Sequence, residues 1–181
     1  MDTTRIVRAT PEDIPTIERL ARVTWPDTFR DILSTAQIEY MLTMMYAPAS
    51  LREQMDRGHI FHLLLAHDPQ AFTGTYAGVG ARYRAVGYVS HEPDYLQETA
   101  KIHKLYVVPG AQGRGYGRAL VRRVESEARR AGQLRLRLDV NYQNKAVDFY
   151  ERLGFVKVGR HDTEIGNGYL MEDWQMEKTI G

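Results

Sequence analysis

The chain has 181 residues, with 24 lysines and arginines against 23 aspartates and glutamates, six histidines and no cysteine. That length suits one domain, expected over residues 1–181, and buries roughly two thirds of the unfolded surface without a disulfide or metal staple. A net charge of +1 supplies no field that would recruit nucleic acid or an anionic membrane, and the missing cysteines exclude a disulfide framework and thiolate metal sites. No apolar run is long enough to span a bilayer, and the N-terminal residues carry no signal-peptide core. The expectation is a soluble cytoplasmic protein with neither a nucleic-acid nor a membrane partner.

Ile6 and Val7 form a short first strand. Thr10 as a hydroxyl N-cap, Pro11 at the first helical position and the acids Glu12 and Asp13 start a helix. Ile14, Ile17, Leu20 and Ala21 supply its apolar face, and Pro26 is expected to end it after Trp25. A second helix is predicted over about Thr35 to Tyr46, and Ser50-Leu51-Arg52-Glu53 matches a capping box opening a third that Gly58 closes. His59–Ala66 and Ala85–Ser90 read as neighbouring strands. Between them lies a glycine-rich stretch, roughly Pro69 to Arg84, too long for a tight hairpin and expected to be a mobile excursion.

Lys101 to Val108 is a further strand, ended by Pro109-Gly110. A helix opens near Gly115, carries Ala119, Leu120, Val124 and Ala128 on one face, and stops at Gly132. Leu134, Leu136, Leu138 and Val140 alternate with polar residues, the pattern of a half-buried strand. Asn144 to Leu153 is a short helix ended by Gly154, and Phe155–Val158 and about Tyr169–Lys178 are the last strands. Helices and strands interleave to the end, which predicts a mixed α/β domain.

The most informative segment runs from Leu105 to Arg118, where a strand enters a turn with glycines at 113, 115 and 117 and a long helix follows. Glycines let backbone N–H groups converge without a Cβ in the way, and the helix N-terminus adds its dipole, so the loop can hold a pyrophosphate. Three readings compete. One is a plain glycine-rich turn. Another is a dinucleotide fingerprint, with Asp139 about 20 residues downstream where a ribose-binding acid would sit, although Arg118 stands where that motif needs glycine or alanine. The third is a coenzyme A cradle; a P-loop fails because no Gly-Lys-Ser/Thr follows.

Gln112-Gly113-Arg114-Gly115-Tyr116-Gly117 resembles the Gln/Arg-x-x-Gly-x-Gly/Ala signature of the GNAT N-acetyltransferase superfamily. Asn144 through Phe155 is similar to its Asn-x-x-Ala-x-x-Phe-Tyr-x-x-x-Gly-Phe block, about 27 residues further on. The resemblance implies an α+β fold: a mixed, mostly antiparallel sheet of about seven strands with helices on both faces, splayed between the strands at 101–108 and 134–140. It implies acetyl-coenzyme A as donor, no metal, and direct attack by an amine in a ternary complex. The cofactor-binding residues it implies are Leu105, Tyr106, Val107, Gln112, Gly113, Arg114, Gly115, Tyr116, Gly117, Arg118 and Asn144. An amide at or near Val107 would donate to the thioester carbonyl.

Tyr150 is the expected general acid to the departing sulfur. A primary amine is almost wholly protonated at neutral pH, so a base is needed. His103, placed by strand alternation on the side of Leu105 and Val107, is the first candidate, with Glu98 or a water chain as alternatives. His59, His62 and His67 show no metal-ligand spacing and read as structural or exposed. Among subfamilies, the segment Thr24 to Phe29, the run Tyr40 to Leu51 and Gly159-Arg160-His161 resemble the spermidine/spermine acetyltransferases of the PaiA type. A polyamine site would draw carboxylates from Asp27, Asp31, Glu92, Asp94, Glu98, Glu172 and Asp173. The competing functions are acetylation of a protein N-terminus or lysine, and a non-catalytic coenzyme A sensor. Members of the superfamily are often homodimers, and no stretch of the sequence names an interface.

Overall fold

Apolar alternation along the strands and apolar stripes along the helices divide the interior into two cores, one on each face of one sheet. The computed structural model describes residues 4–68 and 82–181, so most of the expected excursion at 69–84 lies outside the described residues. Among the described residues seven strands are formed: β1 (Thr4–Arg8), β2 (Ile60–His67), β3 (Tyr83–Leu96), β4 (Thr99–Val107), β5 (Arg135–Asn141), β6 (Val156–Gly166) and β7 (Tyr169–Thr179). Their order in the sheet is β1-β2-β3-β4-β5-β7-β6, and every pairing is antiparallel except β4 with β5. The mixed, mostly antiparallel sheet is the one the sequence resemblance implies.

Three helices, α1 (Ile14–Phe29), α2 (Thr35–Tyr46) and α3 (Pro48–Asp56), pack on one face. There Ile17, Leu20, Trp25, Leu42 and Leu51 bury against Phe61, Leu63, Leu65 and Tyr88. The other face holds α4 (Tyr116–Arg130) and α5 (Ala146–Arg152), with Leu120, Val121 and Val124 against Leu64, Val89, Ile102, Leu136 and Leu138. Adjacent residues of β2 thus feed opposite cores, the signature of a strand covered on both sides.

Three local expectations are corrected. Pro26 does not end the first helix but sits inside α1, which continues to Phe29. Its missing N–H costs one backbone bond, and the burial of Trp25 and Phe29 to 3 % and 6 % exposure outweighs that loss. Ser50 is not a cap: α3 opens at Pro48, and the Ser50 hydroxyl donates to the Met44 carbonyl at 2.8 Å. Finally, β3 and β6 run well past Ser90 and Val158, because hairpin pairing with β4 and β7 carries their polar outer halves.

The topology opens the sheet at one place. β4 and β5 pair from Thr99/Arg135 to Ile102/Leu138 and then part, although β4 continues to Val107 and β5 to Asn141.

Candidate active site

The glycine loop lies at the far end of β4. Gly113 and Gly115 have φ of +77° and +79°, a left-handed backbone that costs any other residue about 1–2 kcal/mol. A Cβ built on either would meet no atom within 4 Å, so the loop faces open space. The first intrahelical bond of α4 runs from the Ala119 N–H to the Gly115 carbonyl, which leaves the first-turn amides before it without helical acceptors. These are the features a pyrophosphate needs, and the loop fits one. Gly117 serves packing instead. A Cβ there would stand 3.1 Å from the Phe149 ring, so its smallness lets α5 close onto α4. The Gln112 side chain donates to the Val107 carbonyl at 3.0 Å and ties the loop to the strand. The Tyr116 ring is buried in the α4 core, and Arg118 lines a separate surface depression with Arg122, Arg152 and Lys178.

Register decides what β4 shows to each side. Ser90 pairs with Lys104 but His91 pairs with Ile102, so His103 is the extra residue of a β-bulge. Beyond it, Leu105 and Val107 join the α4 core, whereas Tyr106 joins the cluster under α1 and α2. The Val108 N–H donates to the Val86 carbonyl. Hydrogen-bonded pairs alternate along an antiparallel ladder, so the Val107 N–H and carbonyl point the other way, into the gap beside β5. The bulge also corrects the expected side of His103. It faces the α1–α2 side with Lys104 and Tyr106, its ring stacked on His59 at 4.5 Å, and not the side of Leu105 and Val107.

A cavity of about 230 Å³ occupies the gap. Asn144 lines it from the turn before α5, Tyr150 from α5, Asp139 from β5, Asp173 from β7 and Lys101, His103 and Lys104 from β4; Trp25, Phe29, Met41, Tyr46 and Met171 supply an apolar wall. Asn144 Oδ1 accepts the Ala146 N–H at 2.9 Å, which leaves its amide NH2 for the cavity. Burial pushes the Tyr150 phenol well up, so it stays protonated. Burial also lowers His103 to about 3, and its Nε2 lies 2.9 Å from Glu92 Oε2. Glu98 sits in the β3–β4 turn, where its carbonyl accepts the Leu134 and Arg135 N–H groups, away from the cavity.

Of the seven carboxylates expected to greet a polyamine, Asp173 is the one that lines the cavity. It is 8 % exposed, and burial together with Asp139 raises its pKa to about 6. The sequence names it only as one of seven candidate carboxylates and does not mark it as buried, because its place opposite Asn141 in the β5–β7 ladder has no local signal. Lys104 was missed as well. Its ammonium lies over the Tyr46 ring at 5.2 Å, no carboxylate pairs with it among the described residues, and burial lowers it to about 8. Lys104→Met should therefore raise stability at pH 7 by about 3 kcal/mol, read as a melting temperature higher by about 5 °C or more. An unchanged or lower melting temperature would mean that the ammonium has a compensating partner.

Residues 25–155 match the family described as "Acetyltransferase (GNAT) family". A spermidine N(1)-acetyltransferase of Thermoplasma acidophilum is 27 % identical over 89 % of this chain and 91 % of its own length. A protein of Methanocaldococcus jannaschii named an uncharacterized N-acetyltransferase is 33 % identical over 48 % of this chain, a stretch that spans only 39 % of that protein. In structure, the chain resembles the PaiA N-acetyltransferase of Thermoplasma acidophilum, solved in complex with coenzyme A. That likeness has a TM-score of 0.75 and 23 % identity, covering 98 % of this chain and 99 % of the other. The matched residues include β4 with its bulge, the glycine loop, α4 and α5, and on that match the chain belongs to the acetyltransferase (GNAT) family and is an acyltransferase.

Proposed function

We propose that this enzyme acetylates a small primary amine with an apolar body, and that residues 1–181 act as one catalytic domain. The observation that carries the reading is the cavity between the parted ends of β4 and β5, which joins Tyr150, Asn144 and Asp173 to an aromatic and methionine wall. Acetyl-coenzyme A is the donor, and when bound it supplies a thioester, an acyl group activated for transfer. The residues fitted to hold it are the amides of Gly113 to Arg118, the backbone edge of Val107 and the free amide of Asn144. Leu105, Tyr106, Gln112, Arg114 and Tyr116 would shape that site through backbone and packing.

Asp173 accepts the amine's proton. From an amine of pKa about 10.4, transfer to a group at about 6 is uphill by about 6 kcal/mol, and to His103 at about 3 by about 10 kcal/mol. The difference favours the carboxylate over the histidine expected from sequence. Tyr150 then donates its phenolic hydrogen toward the leaving sulfur.

A second reading, a polyamine acceptor, is supported by the Thermoplasma relative named a spermidine acetyltransferase. The two are separated by following thiol release from acetyl-coenzyme A with phenethylamine, tyramine, spermidine and a peptide bearing a free N-terminus. Higher kcat/KM for the aromatic amines supports the apolar acceptor. Preference for spermidine or for the peptide overturns it, and binding without turnover on any of them would leave a coenzyme A sensor. The missing cysteines, and the absence of a helix long and apolar enough to cross a membrane among the described residues, support a cytoplasmic setting. A homodimer is proposed on the superfamily resemblance alone.

Gly115→Val tests the cradle. The β-branched residue is strained at φ +79° and projects toward the space the phosphates need. Coenzyme A affinity, measured calorimetrically, is expected to fall at least tenfold. Retained affinity would place the phosphates elsewhere.

A further inference from the structure

His59, Glu92 and His103 are scattered in the sequence, and the β2–β3 register and the β4 bulge bring them together at the margin of the cavity. Both imidazole Nε2 atoms face one oxygen, Glu92 Oε2, at 3.6 Å from His59 and 2.9 Å from His103. The three ligating atoms lie within 4.8 Å of one another. Around an ion with bonds of about 2.1 Å, neighbouring ligand atoms are about 3.0 Å apart at a right angle and about 3.4 Å apart in a tetrahedron. The two separations bracket those values.

We propose that His59 Nε2, His103 Nε2 and the Glu92 carboxylate form a binding site for a divalent transition-metal ion of the zinc class, with its remaining positions open to water. Two imidazoles and one carboxylate suit zinc, cobalt or nickel; magnesium and calcium prefer oxygen shells. The side chains of His59, His103 and Glu92 keep 16 %, 22 % and 32 % exposure, so an ion can reach them. An imidazole is mostly neutral at pH 7, so each ring has a lone pair to offer an ion. The two rings are stacked with planes 16° apart, so one must turn to aim its lone pair at a shared ion, and His59 Nδ1, buried without a partner, places no bond in the way. Lys101 is neutralised by Asp139 at 2.7 Å. Lys104 opposes the ion, so micromolar affinity is expected rather than that of a closed structural site.

The other trio, His62, His91 and Glu127, lies under α4 and is less suited. Its histidines are 0 % and 2 % exposed, and Glu127 Oε1 is already held by Arg123 at 2.8 Å and His62 at 2.9 Å.

An ion at His103 sits beside the amine site and is expected to compete with the acceptor, a consequence that rests on the function proposed above. The site itself does not, and its test reads binding. The untagged chain is titrated with Co²⁺, followed by visible absorption, and with Zn²⁺, followed by calorimetry. One equivalent should bind, and His59→Ala and Glu92→Gln should each weaken binding at least tenfold with the metal-free melting temperature unchanged. Equal affinity in those variants, a loss that follows His62→Ala instead, or no Co²⁺ binding at millimolar concentration would overturn the site.

Discussion

Asp173→Asn is expected to lower kcat about 100-fold and, at the same time, to make the protein more stable at pH 8. The activity loss follows from its place in the cavity: an amide cannot take the amine's proton, and positioned proton transfer is commonly worth about 10²-fold or more. The stability gain follows from linkage. Burial, with Asp139 nearby, raises the pKa from 3.8 to about 6. An acid with a raised pKa holds more protons folded than unfolded between those values, so its contribution to stability is intact below the unfolded pKa and is lost as pH rises through about 6. Two units amount to about 3 kcal/mol of penalty at pH 8, which asparagine removes. Thermal melts at pH 4 and pH 8, with the pH–rate profile, check both parts. In the parent the acidic limb of that profile should fall near pH 6, and His103→Ala should leave it in place. Parental kcat in Asp173→Asn would move the proton acceptor to another group.

Tyr150→Phe is expected to lower kcat by about two orders of magnitude while coenzyme A affinity stays within about twofold. Tyr150 is 7 % exposed, and its ring packs edge-on against Phe149 at 5.2 Å and Phe155 at 5.7 Å. Phenylalanine keeps those contacts, so the variant removes one hydroxyl and little else. Burial keeps that hydroxyl protonated across the working pH range, as the proposed donor to the leaving sulfur has to be. Single-turnover kinetics with calorimetric binding separate the two quantities. A parental rate would strip Tyr150 of the acid role and leave it as a wall of the core.

Much of the scaffold was legible residue by residue, because its signals are local. The second helix spans Thr35 to Tyr46 as predicted, and the Ser34 hydroxyl accepts the Gln37 N–H at its start. The positive φ at Gly113 and Gly115, and a helix opening directly after them, belong to the same class: one residue type at one position forces one backbone conformation. Where two local signals disagreed, packing decided. Pro26 reads as a stop, yet the aromatic pair Trp25 and Phe29, 4.6 Å apart and buried against Tyr106, carries α1 through it.

By itself, the sequence determined the order of helices and strands, the glycine loop between β4 and α4, and the family to which both motif blocks point. Only the tertiary structure decided which side chains meet. A single bulged residue at 103 reverses the face that His103 presents, since strand side chains alternate with period two and one inserted residue shifts every one beyond it. Pairing of β5 with β7 puts Asp173 where burial lifts its pKa. The parting of β4 from β5 after Ile102 and Leu138 makes the cavity. Each of these depends on what lies across a strand, and a pattern read along one chain carries no record of its neighbours.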